Sequence, residues 1–429
     1  MPVLAKMTYD EAIGFFHSRN RFGIKPGLEN ITKLMSRLGN PQAGLKFVHI
    51  AGTNGKGSIC TGLSYILKSA GYKTGLYISP YIIDFRERIQ IDNSMIPHED
   101  LCRVTEKIAK EISKLDSEGV TITEFEAVTA AAFLYFAQEK CDYIVLETGL
   151  GGRFDATNII TPVVSIIASI SLDHTGILGD TIEQIAAEKC GIIKAGIPVV
   201  TNSRQHPNAM PVIRETANLS ESRLIVADTD SSTIIHSGLS GTEFLYKGGI
   251  YNVPFPGKHQ VENFVTVIET AMYLGIEPKF IRQGISDSRN PARTEIVCNN
   301  PLVILDGSHN PGSTKALADV LSENLSGKKI LAVIGMMADK DIPVALSELL
   351  PIFTDVICVG CSNPRVMPPT ELADIISTIS TIKPIYTADN PCDGVKFALQ
   401  QTGYDAVVIC GSLYLCSDVR PIFFERNKL

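Results

Sequence analysis

This 429-residue sequence predicts an α/β protein of two successive domains, each on a mostly parallel sheet, with a small antiparallel sheet attached to the first. Three observations carry that prediction. Short apolar runs alternate with segments of helical period from Phe47 onward, a β-rich stretch without the alternation follows, and the alternation resumes beyond Pro291. Apolar runs too short for a helix read as strands buried on both faces, and strands linked through helices lie parallel. With 45% hydrophobic residues the chain can also fill more than one core.

Taken in order, the first domain has strands at 47–51, 75–78, 143–147, 163–170 and 198–201. Helices at 57–70, 99–114, 124–138 and 181–189 lie between them, each with apolar residues at helical spacing. The stretch 220–253 breaks into β-rich pieces and turns, the pattern of a small antiparallel sheet, and a helix at 261–274 closes the domain. After Asn290-Pro291-Ala292-Arg293 the cycle restarts, with strands at 303–305, 330–335, 355–359, 384–386 and 406–410. A hinge is expected at 291–300, dividing the chain into 1–294 and 295–429. Ligands are expected at the carboxyl ends of strands in both domains, facing one another across a cleft.

Composition excludes several classes. The net charge of −7 is spread among interspersed acids and bases, so no basic face invites nucleic acid or an anionic membrane. The longest apolar stretch, 163–172, is broken by serines and falls short of the roughly 18 residues that a membrane span needs. Residues Met1 to Lys6 lead into Asp10-Glu11 without a cleavable signal pattern, so the cytoplasm is the expected location. Ten scattered cysteines fit reduced core thiols. Cys358-Val359-Gly360-Cys361 has metal-like spacing but no second pair beside it, and reads as strand packing.

The chemistry begins at Val48-His49-Ile50-Ala51-Gly52-Thr53-Asn54-Gly55-Lys56-Gly57-Ser58, where an apolar strand meets a glycine-rich loop that opens a helix. Backbone N–H groups from Gly52 to Gly57 can turn toward a polyphosphate, Lys56 can neutralise its outer oxygens, and Ser58 can offer a hydroxyl to Mg²⁺. The domain is therefore read as P-loop-containing, although Ile50 replaces the usual first glycine and Gly57 separates lysine from serine. A plain glycine turn is the alternative. Glu147 ends a buried strand just before Thr148-Gly149-Leu150-Gly151-Gly152-Arg153, and is a candidate Mg²⁺ ligand. His174, in Ser171-Leu172-Asp173-His174, would reach the same sheet edge if the two strands are neighbours; it could equally be a satisfied polar residue. Lys189 as an ammonium would repel a cation, but a neutral amine combines with CO₂ to a carbamate, reversing the charge and adding an oxygen ligand. A solvated helix lysine is the alternative. In the second domain Asp306-Gly307-Ser308-His309-Asn310-Pro311-Gly312 crowds a strand end ahead of a helix at 313–321. Asp306 could hold a ribose or a metal-bound water and His309 could meet a phosphate or an incoming substrate, while Asn310, Ser308 or Asp306 could simply cap the helix.

Together these motifs resemble the folylpolyglutamate synthase and dihydrofolate synthase family within the wider Mur ligase group. The match runs through GTNGKGS at Gly52, SPYIIDFRERI at Ser79, ETGLGGRFDATN at Glu147, SLDHTGILG at Ser171 and AAEKCGIIK at Ala186. It continues with GKHQVEN at Gly257, DGSHNPG at Asp306, GMMADKD at Gly335 and CGSLYL at Cys410. The resemblance implies a Rossmann-like second domain, ATP as co-substrate, and two Mg²⁺ sites arranged by Ser58, Ser79, Glu147 and His174, with Lys189 carbamylated. It further implies Asn263 by the adenine, Arg293 by the phosphates and Asp306 near the ribose. His309, Arg88 and Ser412 are implied near the transferred phosphate and incoming L-glutamate.

Thr123-Glu124-Phe125-Glu126 and the loop Arg153 to Asn158 resemble the bifunctional pattern, which implies that Thr123 and Asp155 face the pterin and that both dihydropteroate and reduced folates are acceptors. A synthase that only extends folates, a peptidoglycan-precursor ligase of the same group, and a non-catalytic nucleotide switch are the alternatives. A monomer is expected. The chain departs from the family at Tyr81, where histidine is usual, and at Pro291-Ala292-Arg293, where glycine commonly precedes the arginine.

Overall fold

A glycine-rich loop needs a rigid strand beneath it, and in the computed structural model that strand is β1 (Phe47–Ala51), buried along its whole length. The structure describes residues 6–23, 27–382 and 384–424; residues 1–5, within the segment read for a signal, lie outside the described residues. Then come β2 (Thr74–Tyr77), β3 (Ile89–Ile91), β4 (Ser94–Met95), β5 (Tyr143–Glu147), β6 (Val164–Ile167), β7 (Val199–Asn202) and β8 (Leu224–Ala227). They form one eight-stranded sheet in the order β4-β3-β2-β5-β1-β6-β7-β8, parallel except for the β3–β4 hairpin edge.

Helices cover both faces of this sheet, as its double-sided apolar strands require. On one side Phe16, Leu34, Ile108 and Phe133 join a single core through the helices Tyr9–Ser18, Glu29–Arg37, His98–Ser117 and Glu124–Gln138. The last of these is buried from Glu126 to Phe136, so it is apolar nearly all round. Further along the same face, the one that carries Phe47 and His49 of β1, Ile185, Ile192 and Ile213 pack against Ile167 and Val199. The loop-bearing helix Lys56–Ser69 lies against the helix Pro278–Asp287, an approach so close that a Cβ on Gly284 would come within 2.4 Å of the Ile66 backbone.

A second compact unit takes Ser171–Asp173, Ser231–Glu262 and the chain from Ser288 onward; the rest belongs to the first. It contains the antiparallel sheet β9 (Thr233–Gly238), β10 (Gly241–Tyr246), β11 (Gly249–Val253). It also contains β12 (Glu295–Asn299), β13 (Leu302–Leu305), β14 (Ile330–Ile334), β15 (Asp355–Val359), β16 (Pro384–Ala388) and β17 (Ala406–Cys410). These six form a sheet in the order β12-β13-β17-β14-β15-β16, all parallel except β12. Ile304, Leu321, Ile334, Val356 and Val408 fill its core.

The two α/β units and the small antiparallel sheet agree with the predicted fold class, but the antiparallel sheet falls in the second unit rather than the first; the other differences are local. The strand expected at 163–170 ends at Ile167. The antiparallel sheet begins at Thr233 rather than near 220, because Leu224–Ala227 pairs in parallel with β7. Within the expected hinge at 291–300, Glu295–Asn299 is an edge strand. The helix expected at 261–274 starts at Lys258. The cysteines at 358 and 361 are a buried strand thiol and a half-buried one, and among the described residues no three His, Cys, Asp or Glu side chains gather as a metal site. No helix among the described residues is long and apolar enough to cross a membrane.

Candidate active site

At the end of β1 the chain can turn sharply only because Gly52 lacks a Cβ, which would lie 2.6 Å from the Ala168 methyl. Thr53 and Asn54 then donate their N–H groups to the Ser169 carbonyl, at 2.8 and 3.2 Å, fixing the loop on the strand end of β6. Gly55 takes the left-handed conformation at φ 84° and fits against the Asn263 side chain, whose Oδ1 is 2.2 Å from where a Cβ would stand. Lys56 opens the helix and folds its ammonium back onto the Gly52 and Thr53 carbonyls, at 3.1 and 3.4 Å. Gly57 and the buried Ser58 follow in the first turn. Such a helix N-terminus, with N–H groups and partial positive charge, suits an anion.

Lys189 arrives from far along the chain, at the end of the helix Ile182–Lys189, and donates its Nζ to the same Gly52 carbonyl at 2.9 Å. It is 5% exposed. Two lysine Nζ atoms thus share one acceptor beneath the loop. Glycines let the segment after β5 lie on the Lys189 peptide: a Cβ on Gly152 would be 2.6 Å from the Lys189 carbonyl, and one on Gly191 2.4 Å from Arg153. Arg153 donates its N–H to the Glu188 carbonyl at 2.8 Å, and the Asn158 amide donates to Arg153 and Gly191 carbonyls at 2.9 and 3.1 Å.

Glu147 sits at the end of β5, in register with Ile50 of β1, and its buried carboxylate accepts the Ser79 N–H at 3.1 Å. Ser79 and Glu147 are therefore together. His174 is exposed, with φ 52°, ahead of the single turn Thr175–Leu178. The strands β5 and β6 are not neighbours: β1 lies between them, so they are roughly 10 Å apart and the shared edge expected for Glu147 and His174 does not follow from strand pairing.

Three more of the expected residues form a group of their own. Thr123 caps the helix Glu124–Gln138 in a reciprocal box with Glu126. Arg88, 7% exposed, pairs with Glu124 at 3.2 Å, and its guanidinium lies 5.4 and 5.9 Å from the rings of Phe85 and Phe125. Its Nε has no partner, an orphaned donor that a bound anion would satisfy. Asp155 is buried and accepts four hydrogen bonds: Gly149 and Leu150 N–H on Oδ2, Thr157 N–H and hydroxyl on Oδ1. Burial pushes its pKa up against the pull of those donors. Nearby, Tyr9, Ile13, His17, Tyr81 and Phe85 line a cavity of about 520 Å³.

In the second unit Asp306 follows β13. Its Oδ2 accepts the Thr294 N–H and hydroxyl, at 2.8 and 3.0 Å, and its Oδ1 accepts the Ser308 N–H at 2.8 Å. Arg293 lies between Ala292 and Thr294, both at positive φ, 55° and 50°. That conformation is free to glycine and strained for alanine, so Ala292, the departure from the pattern, holds it at a cost. His309 donates Nδ1–H to the Gly307 carbonyl at 2.8 Å, which leaves Nε2 as the acceptor of the neutral ring. Burial, and then the nearby Lys340 charge, hold its pKa below the usual value. Asn310, not Asp306 or Ser308, caps the helix Pro311–Asn324. Ser412 caps the helix Leu413–Val419.

Asp173 and Lys340, outside the expected set, join this group. Lys340 Nζ meets Asp173 Oδ1 at 2.6 Å, the Asn310 amide donates to Asp173 Oδ2 at 3.0 Å, and His309 Nε2 is 3.9 Å from that oxygen. Their only sequence signal was membership of SLDHTGILG and GMMADKD.

Residues 50–271 match the Mur ligase middle domain, and residues 292–413 match the Mur ligase glutamate ligase domain. The chain is 36% identical over 428 residues to a dihydrofolate synthase/folylpolyglutamate synthase of Bacillus subtilis, covering 96% of this chain and 98% of that one. Its fold is similar to that of a folylpolyglutamate synthase of Thermotoga maritima, with a TM-score of 0.83 at 36% identity over 97% of this chain and 96% of that one. It is similar also to Escherichia coli FolC in complex with DHPP and ADP, with a TM-score of 0.85 at 28% identity over 98% and 99% of the two chains.

Proposed function

The chain belongs to the Mur ligase family of ATP-dependent amide-forming ligases, among its dihydrofolate synthase/folylpolyglutamate synthases, and we propose that it joins L-glutamate to the carboxylate of both dihydropteroate and reduced folates. The observation that carries the reading is the convergence of Lys56 and Lys189 on the Gly52 carbonyl beneath the glycine-rich loop, beside the Asn263 side chain. We assign the loop from Gly52 to Ser58 to the ATP phosphates and Asn263 to the adenine. Thr123 and Asp155 are assigned to the pterin, and Arg88 to an acceptor or glutamate carboxylate. In the second unit Arg293 and Asp306 are assigned to phosphate and ribose, and His309 and Ser412 to the glutamate side of the reaction.

A carboxylate is a poor electrophile, so its oxygen attacks the γ-phosphorus of ATP, ADP leaves, and an acyl phosphate forms. The amine of glutamate adds to the acyl carbon, and collapse of the tetrahedral intermediate expels phosphate. Lys56 offsets charge as two anions approach. His309, kept neutral with Nε2 free of its own proton, accepts the proton that the glutamate nitrogen sheds.

The residues also fit Mg²⁺. Glu147 and the Ser58 and Ser79 hydroxyls are hard oxygen donors, His174 adds an imidazole, and these are the groups we propose for two sites. Bound there, Mg²⁺ screens the polyphosphate and the acceptor carboxylate from each other. Lys189 suits that role only after its neutral amine adds to CO₂ and releases a proton, giving an anionic carbamate; its buried place beneath the phosphate loop supports this. We propose that the enzyme works as a cytoplasmic monomer, with functional domains 1–294 and 295–429. Incubation with Mg·ATP and labelled glutamate, in parallel on dihydropteroate and a reduced folate, tests the function. Label and phosphate appear together with both acceptors; incorporation with the reduced folate alone refutes the dihydrofolate synthase half.

A further inference from the structure

His49 lies in the middle of β1, fully buried, two residues before the strand gives way to the phosphate loop's approach at Ala51-Gly52. Nothing in the reaction above uses it. Its Nε2 is 2.9 Å from the Thr157 hydroxyl. That hydroxyl has one proton, and the proton goes to Asp155 Oδ1 at 2.5 Å. The histidine must therefore donate, which fixes the Nε2–H tautomer. Its Nδ1 has no partner, so it gains nothing from a second proton. Burial, reinforced by the Lys194 charge, drives the pKa down to about 3, and the ring stays neutral.

The chain of bonds continues. Asp155 Oδ2 accepts the N–H groups of Gly149 and Leu150, at 2.9 and 2.8 Å, so the carboxylate clamps the turn that follows Glu147. An ionised carboxylate offers about four acceptor directions, and Asp155 uses four, two of them on Thr157. Three of these bonds come from backbone N–H groups; the fourth, from the Thr157 hydroxyl, is the one whose direction His49 fixes. Were His49 absent, the threonine hydroxyl would be free to rotate and the carboxylate would lose the fixed fourth bond on Oδ1.

We propose that His49 is a positioning residue for the acceptor: through Thr157 it holds Asp155, and with it the turn Gly149-Leu150, in the shape that takes the pterin. The inference deepens the assignment of Asp155 to the acceptor and rests on it. The His49 hydrogen bond runs to Thr157, so the expected effect falls on the acceptor and not on ATP. A general packing role would disturb nucleotide and acceptor alike.

Steady-state kinetics on the full chain separate these cases. His49→Leu fills the space without a donor and raises the KM for dihydropteroate by roughly tenfold, the scale of one lost buried hydrogen bond, with the KM for ATP within about twofold of the parent. His49→Gln, whose amide N–H reaches the Nε2 position, restores the acceptor KM. Thr157→Val reproduces the His49→Leu effect, and the double variant is no worse than either single one, since both break the same chain. Equal changes in the two KM values, additive effects in the double variant, or failure of His49→Gln to restore the KM would each overturn the proposal. Asp155→Asn distinguishes the two layers. If it leaves the acceptor KM unchanged, the assignment of Asp155 to the pterin fails. If it raises that KM while Thr157→Val and His49→Leu do not, only the His49 inference fails. Should His49→Leu not fold, Thr157→Val and His49→Gln still decide.

Discussion

Replacing Gly55 by alanine perturbs the phosphate loop at one atom. Gly55 stands at φ 84°, where a side chain costs about 1–2 kcal/mol. The new Cβ would also stand 2.2 Å from Asn263 Oδ1, where real Cβ contacts stay beyond 3.0 Å, so Asn263 must retreat by most of an ångström. The free loop can relax away from both strains, but the nucleotide-bound loop cannot, so the cost falls on binding. About 1.4–2.8 kcal/mol corresponds to roughly a ten- to hundredfold rise in the Kd for Mg·ATP. Isothermal titration of the purified variant with a non-hydrolysable ATP analogue reads this directly, and a thermal melt confirms that the protein is folded. A folded Gly55→Ala protein that binds nucleotide within about twofold of the parent would refute the assignment of this loop and of Asn263 to ATP.

Lys189→Ala abolishes amide formation, by at least about a thousandfold, and millimolar formate or acetate partly restores it by replacing the lost carbamate; unimpaired turnover would eliminate the carbamate. His49 couples folding to pH: its folded pKa of about 3 lies below the unfolded value of 6.5, so its contribution is complete above 6.5 and is lost as pH falls toward 3. Between pH 7.5 and 5 the parent loses about 2 kcal/mol on this account, measurable as the difference in urea stability between the parent and His49→Gln at the two pH values. Ala292→Gly removes a left-handed alanine and raises stability by up to about 1 kcal/mol, the reverse of the usual effect of this substitution, in the same urea assay.

Elements with a strong period were legible. The runs at 47–51, 143–147, 355–359 and 406–410 became strands with those bounds, since an apolar run flanked by polar turns leaves little freedom of phase. The hairpin Ile89–Ile91 and Ser94–Met95 escaped, because two or three residues carry no period; Asp92 and Asn93, both at positive φ, were the turn signal available. β12, five residues long, escaped because it lies within the expected hinge and is defined by pairing with β13.

Among the proposed site residues, those next to glycine turns at strand ends announced themselves, as Lys56, Glu147 and Asp306 did. Lys189 did not: its place under the loop depends on contact with Gly52, 137 residues away, and on glycines at 152 and 191 that permit the approach. The Asp173–Lys340 pair, 167 residues apart, is invisible to any local pattern. For His174 the condition that would have set it beside Glu147, adjacent strands, is not met, because β5 and β6 flank β1 instead of each other.

The central claim is that ATP activates the acceptor as an acyl phosphate. Dihydropteroate labelled with ¹⁸O in its carboxylate, turned over with Mg·ATP and glutamate, puts the label to that test. The account predicts one ¹⁸O in each inorganic phosphate released, with ADP as the other product. Unlabelled phosphate, or label recovered in AMP, would contradict it.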